Sequence, residues 1–232
     1  IETSIITKEA VAPLAYLLES KPHTLVAVVS RSPKPKGRGR GALLDPPVAD
    51  FAKRKGLLVL QPEKPSQPEF LNQIRLLEPD IIVTCAYGKI LSQSFLDLPT
   101  RGVINIHPSM LPKYRGPTPI QSALLDGLEQ SGVSILFTVK QVDAGNIICQ
   151  EKFDLGKNAT AGKLQTQAFV ASGPLLGKAL DLIQDPAFVG VEQNLAEVSH
   201  CHCLTKDDGL ISWAKTAEKI FAQYRGYTPW PG

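Results

Sequence analysis

Apolar residues fall in short unbroken runs along the first half of the chain. The runs at 24–29, 56–60, 80–85 and 102–105 are rich in Val, Ile and Leu and do not alternate with polar positions. Continuous apolarity of this length suits strands covered on both faces. Between the runs, residues 8–20, 47–55 and 67–77 space their apolar side chains along one face of a helix. Strand–helix–strand alternation predicts an α/β fold, with a mostly parallel sheet and helices on both faces. Residues 1–7 read as a further strand, although Glu2 suits a central position poorly.

The rhythm changes after Asn105. Pro108, Pro112, Pro117 and Pro119 crowd one stretch, which predicts an irregular loop, followed by a helix over 120–125. Residues 133–139 and 147–153 read as two strands joined by 141–146, where Asp143-Ala-Gly145 is turn chemistry. A long helix is predicted over 160–184, kinked at Ser172-Gly-Pro174, and a last helix over 211–224. Pro229-Trp-Pro-Gly232 has the composition of a linker.

Length and charge narrow the picture. The 232 residues allow one full domain and part of another. No apolar run approaches the roughly 18 residues of a membrane span. The net charge of +3 is too small to mark a nucleic-acid binder, so any such case rests on local clustering. Cys85, Cys149, Cys201 and Cys203 in a long chain with no secretory leader in front of them point to a reducing compartment. The chain opens on Ile1 rather than Met, so a true start with a targeting peptide could lie outside it.

The densest candidate chemistry is Asn105-Ile-His-Pro-Ser109 at the carboxyl end of a predicted parallel strand, where open α/β sheets place ligands. Asn105 and His107 are two apart, so an extended backbone turns both to one side. A neutral amide donor beside a group that exchanges a proton near neutral pH suits a tetrahedral intermediate. The same pair also serves as a satisfied polar couple at a strand end. Asp143 could tune that imidazole and hold a water or an amine, or simply form its turn. Pro33-Lys-Pro-Lys-Gly-Arg-Gly-Arg-Gly41 carries Lys34, Lys36, Arg38 and Arg40 with no acid among them. Its Gly and Pro residues predict neither helix nor strand. It reads as a mobile basic loop able to follow a phosphate backbone, or as a solvated surface loop. His200-Cys-His-Cys203 lacks the spacing of a zinc site, and alternate residues of an extended chain face opposite ways, so no metal is expected.

Asn105-Ile-His-Pro-Ser-Met-Leu-Pro-Lys-Tyr-Arg-Gly-Pro-Thr-Pro-Ile-Gln121, with Val142-Asp-Ala-Gly145 downstream, resembles the folate-dependent formyltransferases, and most of all the branch acting on methionyl initiator tRNA. Residues 7–18 are similar to the family's first helix and Gly37-Arg-Gly39 to its basic loop. Cys85-Ala-Tyr-Gly-Lys-Ile-Leu91 is similar to its folate segment. Leu204-Thr-Lys-Asp-Asp-Gly-Leu-Ile-Ser-Trp213 and Pro229-Trp-Pro-Gly232 are similar to its interdomain region. The resemblance implies a Rossmann-like formyltransferase fold, with a C-terminal β-barrel domain absent from this chain. Residues 1–204 would form the catalytic domain, and 205–232 a terminal helix and the start of the interdomain linker.

The implied reaction moves the formyl group of 10-formyltetrahydrofolate to the amino group of methionyl initiator tRNA, for translation initiation and without a metal. Asn105, His107 and Asp143 match the catalytic trio. Tyr87, Gly88, Ile90, Leu91, Ser109 and Pro112 would line the folate, and Lys34, Lys36, Arg38 and Arg40 would meet tRNA. A monomer without membrane attachment is expected. The wording of 137–145 looks closer to organellar members, which implies mitochondrion or plastid in a eukaryote and cytoplasm in a bacterium. Ile6-Thr-Lys8 stands where the family has Gly-Thr-Pro, Thr118 stands where Ala is usual, and His200–Cys203 replaces a segment usually ending in Ala-Pro-Lys. Two alternatives stay open: a formyltransferase for a small amine, such as a purine precursor or amino sugar, and a non-catalytic remnant that binds folate or RNA. The basic loop and the stretch from Leu204 onward favour the tRNA substrate.

Overall fold

The computed structural model describes residues 11–20, 23–35 and 42–232. The strand expected at 1–7, the first residues of the helix expected at 8–20, and Lys36, Arg38 and Arg40 lie outside them.

Helix α1 (Val11–Ser20) leads to β1 (Val28–Val29), which pairs in parallel with β4 (Val59–Leu60). The apolar runs predict longer strands than this two-residue ladder. Among the described residues β1 has one ladder partner, β4. Between β1 and β4, β2 (Lys34–Pro35) and β3 (Leu43–Leu44) form an antiparallel ribbon with Lys34 facing Leu44. The basic segment is therefore not wholly without regular structure. A two-stranded ribbon is all edge, and an edge tolerates Pro35.

Helices α2 (Pro47–Arg54) and α3 (Pro68–Leu76) each open on a proline, whose fixed φ and missing N–H suit a first turn. The main sheet runs β5 (Ile82–Cys85), β6 (Val103–His107), β7 (Gln130–Phe137), β8 (Ile147–Asp154) in that order. Strands β5 and β6 are parallel, joined through a short helix α4 (Gln93–Leu96); β6–β7 and β7–β8 are antiparallel. The parallel character thus belongs to the strands through β6. Nine residues join β7 to β8, too few for a crossover, so that pair closes as a hairpin.

Strand β6 is covered on both sides. Ile104 and Ile106 join Val133, Ile135 and Ile148 beneath helix α6 (Ala161–Ile183), whose Leu164, Phe169 and Leu176 are buried against them. Val103 turns the other way, to Phe70 and Ile74 of α3 and Phe95 of α4. Each such side chain contributes roughly 1.5–3 kcal/mol by leaving water. Ser172-Gly-Pro174 does not end α6. A Cβ at Gly173 or Gly177 would come within 3.0 Å of Tyr16, so this stretch is the notch into which α1 packs. Helix α5 (Pro119–Leu125) is followed late in the chain by α7 (Ala217–Tyr227), which packs on it: the backbone of Gly226 passes close to Gln121 and Leu125. Helix α7 begins later than the apolar pattern predicts because Thr216 accepts a hydrogen bond from Lys219 N–H and sets the N-terminus.

Candidate active site

Strand β6 ends the sheet's deepest ladder, and its last residues carry the chemistry. Asn105 and His107 share one face of β6, as period two requires. Thr84 sits opposite Asn105 in the parallel register, with its hydroxyl 2.8 Å from Asn105 Oδ1. The Asp143 carboxylate can only accept, so Asn105 turns Nδ2 toward it and donates to Asp143 Oδ1 at 3.3 Å, which leaves Oδ1 to the Thr84 hydroxyl.

His107 is almost wholly buried. Its Nε2 lies 2.9 Å from the Tyr114 carbonyl, which can only accept, so this nitrogen carries a proton. Its Nδ1 lies 3.3 Å from Asp143 Oδ2. Asp143 reaches the pair from the β7–β8 hairpin with a left-handed backbone, φ 50°. Its Oδ2 also accepts from Gly116 N–H at 2.8 Å. Amide, imidazole and backbone N–H thus converge on one carboxylate, and the expected trio is assembled across 38 residues of sequence.

The loop after β6 is held by its own hydrogen bonds. Ser109 was expected at the folate; instead it is fully buried, its hydroxyl donates to the Lys113 carbonyl and its carbonyl accepts from Ser134. Burial removes it from any ligand surface. Pro112 is half-buried behind a cis Leu111–Pro112 bond. Tyr114 donates its hydroxyl to Asp126 Oδ2 at 2.7 Å; burial first, and that carboxylate second, push the phenol well above its ordinary range. Gly116 has φ 117°, and a Cβ there would come within 2.7 Å of the Cys201 carbonyl, so only glycine fits. Gly145 is equally constrained, because a Cβ would fall 1.9 Å from the Phe137 carbonyl across the hairpin.

The other expected folate residues follow β5, beside Asn105. Ala86 and Gly88 have positive φ, Ile90 is exposed, and Leu91 packs back against the cluster of Phe70 and Phe95. The Tyr87 hydroxyl is buried with no partner among the described residues. Burial pushes the Cys85 thiol up to about 12. Lys34 is exposed in the β2–β3 ribbon. Of His200–Cys203, Cys201 is half-buried, whereas His200, His202 and Cys203 are all exposed. The Cys201 sulfur accepts from Thr118 N–H beside Gly116, whereas His202 is exposed and lies 3.6 Å from Asp208.

Four residues that sequence reasoning did not single out complete the site: Thr84, Tyr114, Arg115 and Gln193. Arg115 and Gln193 are both buried. Arg115 Nε and Nη2 donate to Gln193 Oε1, and Gln193 Nε2 donates to the carbonyls of Asp143 and Gly145. Tyr114 and Arg115 stand inside the recognisable loop motif, but Gln193 sits in an unremarkable polar stretch and offers no local signal.

Residues 8–176 match the family model described as formyl transferase, and 203–232 match the formyl transferase C-terminal domain; 177–202 fall between the two. A methionyl-tRNA formyltransferase of Ruminiclostridium cellulolyticum is 38% identical over 226 residues, covering 97% of this chain and 72% of the relative. One from Staphylococcus aureus is 39% identical, covering 90% of this chain and 67% of the relative. The solved N-formyltransferase of Helicobacter canadensis, in complex with folinic acid and dTDP-3-aminofucose, shares the fold. Its TM-score is 0.71 at 23% identity, over 94% of this chain and 76% of that one. HypX of Aquifex aeolicus in complex with tetrahydrofolic acid aligns with a TM-score of 0.61 at 18% identity, over 79% of this chain and 32% of that one.

Proposed function

The chain belongs to the formyl transferase family, in the branch of the methionyl-tRNA formyltransferases, and from that premise we propose that it moves the formyl group of 10-formyltetrahydrofolate onto the amino group of methionyl initiator tRNA. The observation that carries the reading is the convergence of Asn105 and His107, each 3.3 Å from the Asp143 carboxylate, at the carboxyl end of β6.

The residues at hand suit a folate on two counts. The buried Tyr87 hydroxyl, two residues beyond β5, has no partner among the described residues, and at Gly88 a Cβ would meet nothing within 4 Å among them. Residues 86–91 therefore offer backbone groups and the exposed Ile90 to a flat ring. When bound, the co-substrate supplies a carbonyl carbon open to attack by an amine. Asn105 has one Nδ2 proton engaged by Asp143 and a second available for the oxygen that gains charge. A fixed donor of this kind is worth about 2.7–4 kcal/mol in the barrier. His107 is anchored through Nε2 and presents Nδ1 to Asp143. The His107–Asp143 pair is placed to receive the proton the amine would give up and to pass it to the folate nitrogen, which takes the electron pair as its bond to the formyl carbon breaks. Lys34, Lys36, Arg38 and Arg40 form the basic loop assigned to the acceptor-stem phosphates. We place the boundary of the catalytic domain at 204/205, next to the start of the C-terminal-domain match.

The test is formylation by the purified chain of initiator Met-tRNA set against glycinamide ribonucleotide and an amino-sugar nucleotide. Turnover on Met-tRNA alone is the expected result. Preference for either small amine would replace the proposed substrate, and no turnover on any of the three would point to a non-catalytic remnant.

A further inference from the structure

The trio is supported by a part of the chain that neither family match covers. Residues 189–202 run as a strap across the site and bond to both loops that carry it. Val191 pairs with Ile147 just beyond the Asp143 turn. Ser199 Oγ accepts from Tyr114 N–H at 2.9 Å, and Tyr114 is the residue whose carbonyl holds His107. Cys201 N–H donates to the Arg115 carbonyl at 2.8 Å. Gln193 is the strap's one buried polar side chain that reaches the Asp143 turn.

We propose that Gln193 is a positioning residue for Asp143. Its Nε2 donates to the Asp143 carbonyl at 2.9 Å and the Gly145 carbonyl at 2.8 Å, so one amide group grips both ends of the turn. Its Oε1 accepts from Arg115 Nε at 3.1 Å and Nη2 at 2.8 Å, and that two-point contact sets the plane of the amide. The turn needs such a grip. Asp143 holds a left-handed backbone that residues other than Gly adopt at a cost, and its carboxylate must keep three partners at once.

The choice of glutamine has a further consequence. Arg115 is buried, and no carboxylate pairs with it among the described residues. Gln193 is a neutral spacer between that guanidinium and the Asp143 turn. It passes on position without giving Asp143 a cationic partner, which leaves the carboxylate to Asn105, His107 and Gly116. A glutamate here would still pair with Arg115 but would have no proton for the two carbonyls.

The inference rests on the proposed formyl transfer and is tested in the same assay. Gln193→Met keeps the volume and removes the donors; it should lower kcat by about 10- to 10²-fold while the KM for folate and for Met-tRNA stays within about twofold, since a displaced catalytic group costs turnover and not binding. In an Asp143→Ala background, read by single turnovers, the same change should cost less than about threefold more, because the group being positioned is already gone. Gln193→Glu should fall with Gln193→Met. A Gln193→Met enzyme within about threefold of wild-type kcat, or losses that multiply in the Asp143→Ala background, would overturn the assignment. So would failure of both variants to fold, judged by circular dichroism, because Gln193 would then be a determinant of folding. A wild-type chain with no turnover on Met-tRNA refutes the proposed function itself, and this inference falls with it.

Discussion

Residues 103–183 and residues 28–60 are built to different tolerances. In the first region β6, β7 and β8 are five, eight and eight residues long, and Ile104, Val133 and Ile135 are fully excluded from water beneath α6. In the second, β1, β2, β3 and β4 are two residues each; the β2–β3 ribbon is exposed and β4 is half-buried. The first region carries Asn105, His107 and Asp143, whose distances must hold to a fraction of an ångström. The second carries Lys34 and leads into the rest of the basic segment, whose proposed partner is a phosphate backbone. Long ladders and buried β-branched residues fix geometry; the two-residue β2–β3 ribbon, exposed along both strands, has no such packing to hold it.

The contrast in packing is the easiest to break. Ile135→Ala should cost about 2–5 kcal/mol of stability, as core truncations beneath a helix do, whereas Val59→Ala in the half-buried β4 should cost about 1.5 kcal/mol or less. Urea titrations of both variants read the difference, and equal costs would mean that residues 28–60 are as tightly held as the sheet. The chemical contrast comes next. His107→Ala and Asn105→Ala should each lower kcat by at least about 10²-fold with an unchanged folded spectrum, because each removes a group needed in the transition state and not a packed core side chain. Normal turnover in either variant would remove the mechanism.

A smaller effect is expected from the basic loop. Arg38→Ala should raise the Met-tRNA requirement several-fold and flatten its salt dependence by roughly 0.7–0.9 in the logarithmic slope, with folate affinity unchanged. If instead folate binding weakens, the loop borders the folate and the two regions are not functionally separate. The smallest effect concerns the thiols. Burial pushes Cys85 up to about 12 and Cys149 up to about 11, so neither forms appreciable thiolate at pH 8. An aromatic disulfide reagent should label the exposed Cys203 in the native protein and reach Cys85 and Cys149 only in denaturant, at no cost to turnover.

Legibility along the chain follows the range of the forces involved. Helix α6 was readable to within a residue at each end, because its apolar period is local. The shared face of Asn105 and His107 was readable because a strand turns every second side chain the same way. The β7–β8 hairpin announced itself through Asp143-Ala-Gly145, where Gly145 has no room for a Cβ. Ser109 was misplaced because motif position says nothing about which way a side chain faces, and its hydroxyl faces Lys113. Among the described residues the strands at 24–29 and 56–60 are shorter than their apolar runs, because apolar character reports burial, whereas a strand is defined by the backbone bonds it makes to a partner.

From sequence alone came the α/β alternation, the resemblance to formyltransferases and the identities of Asn105, His107 and Asp143, since each depends on residues close together in the chain or on a motif read whole. Tertiary structure decided what those residues touch. Thr84 orients Asn105 across 21 positions, Gly116 reaches Asp143 across 27, and Gln193 reaches the Asp143 carbonyl across 50. No periodicity or turn preference encodes such pairs. They arise when buried polar groups, cut off from water, take the partners that folding brings within reach.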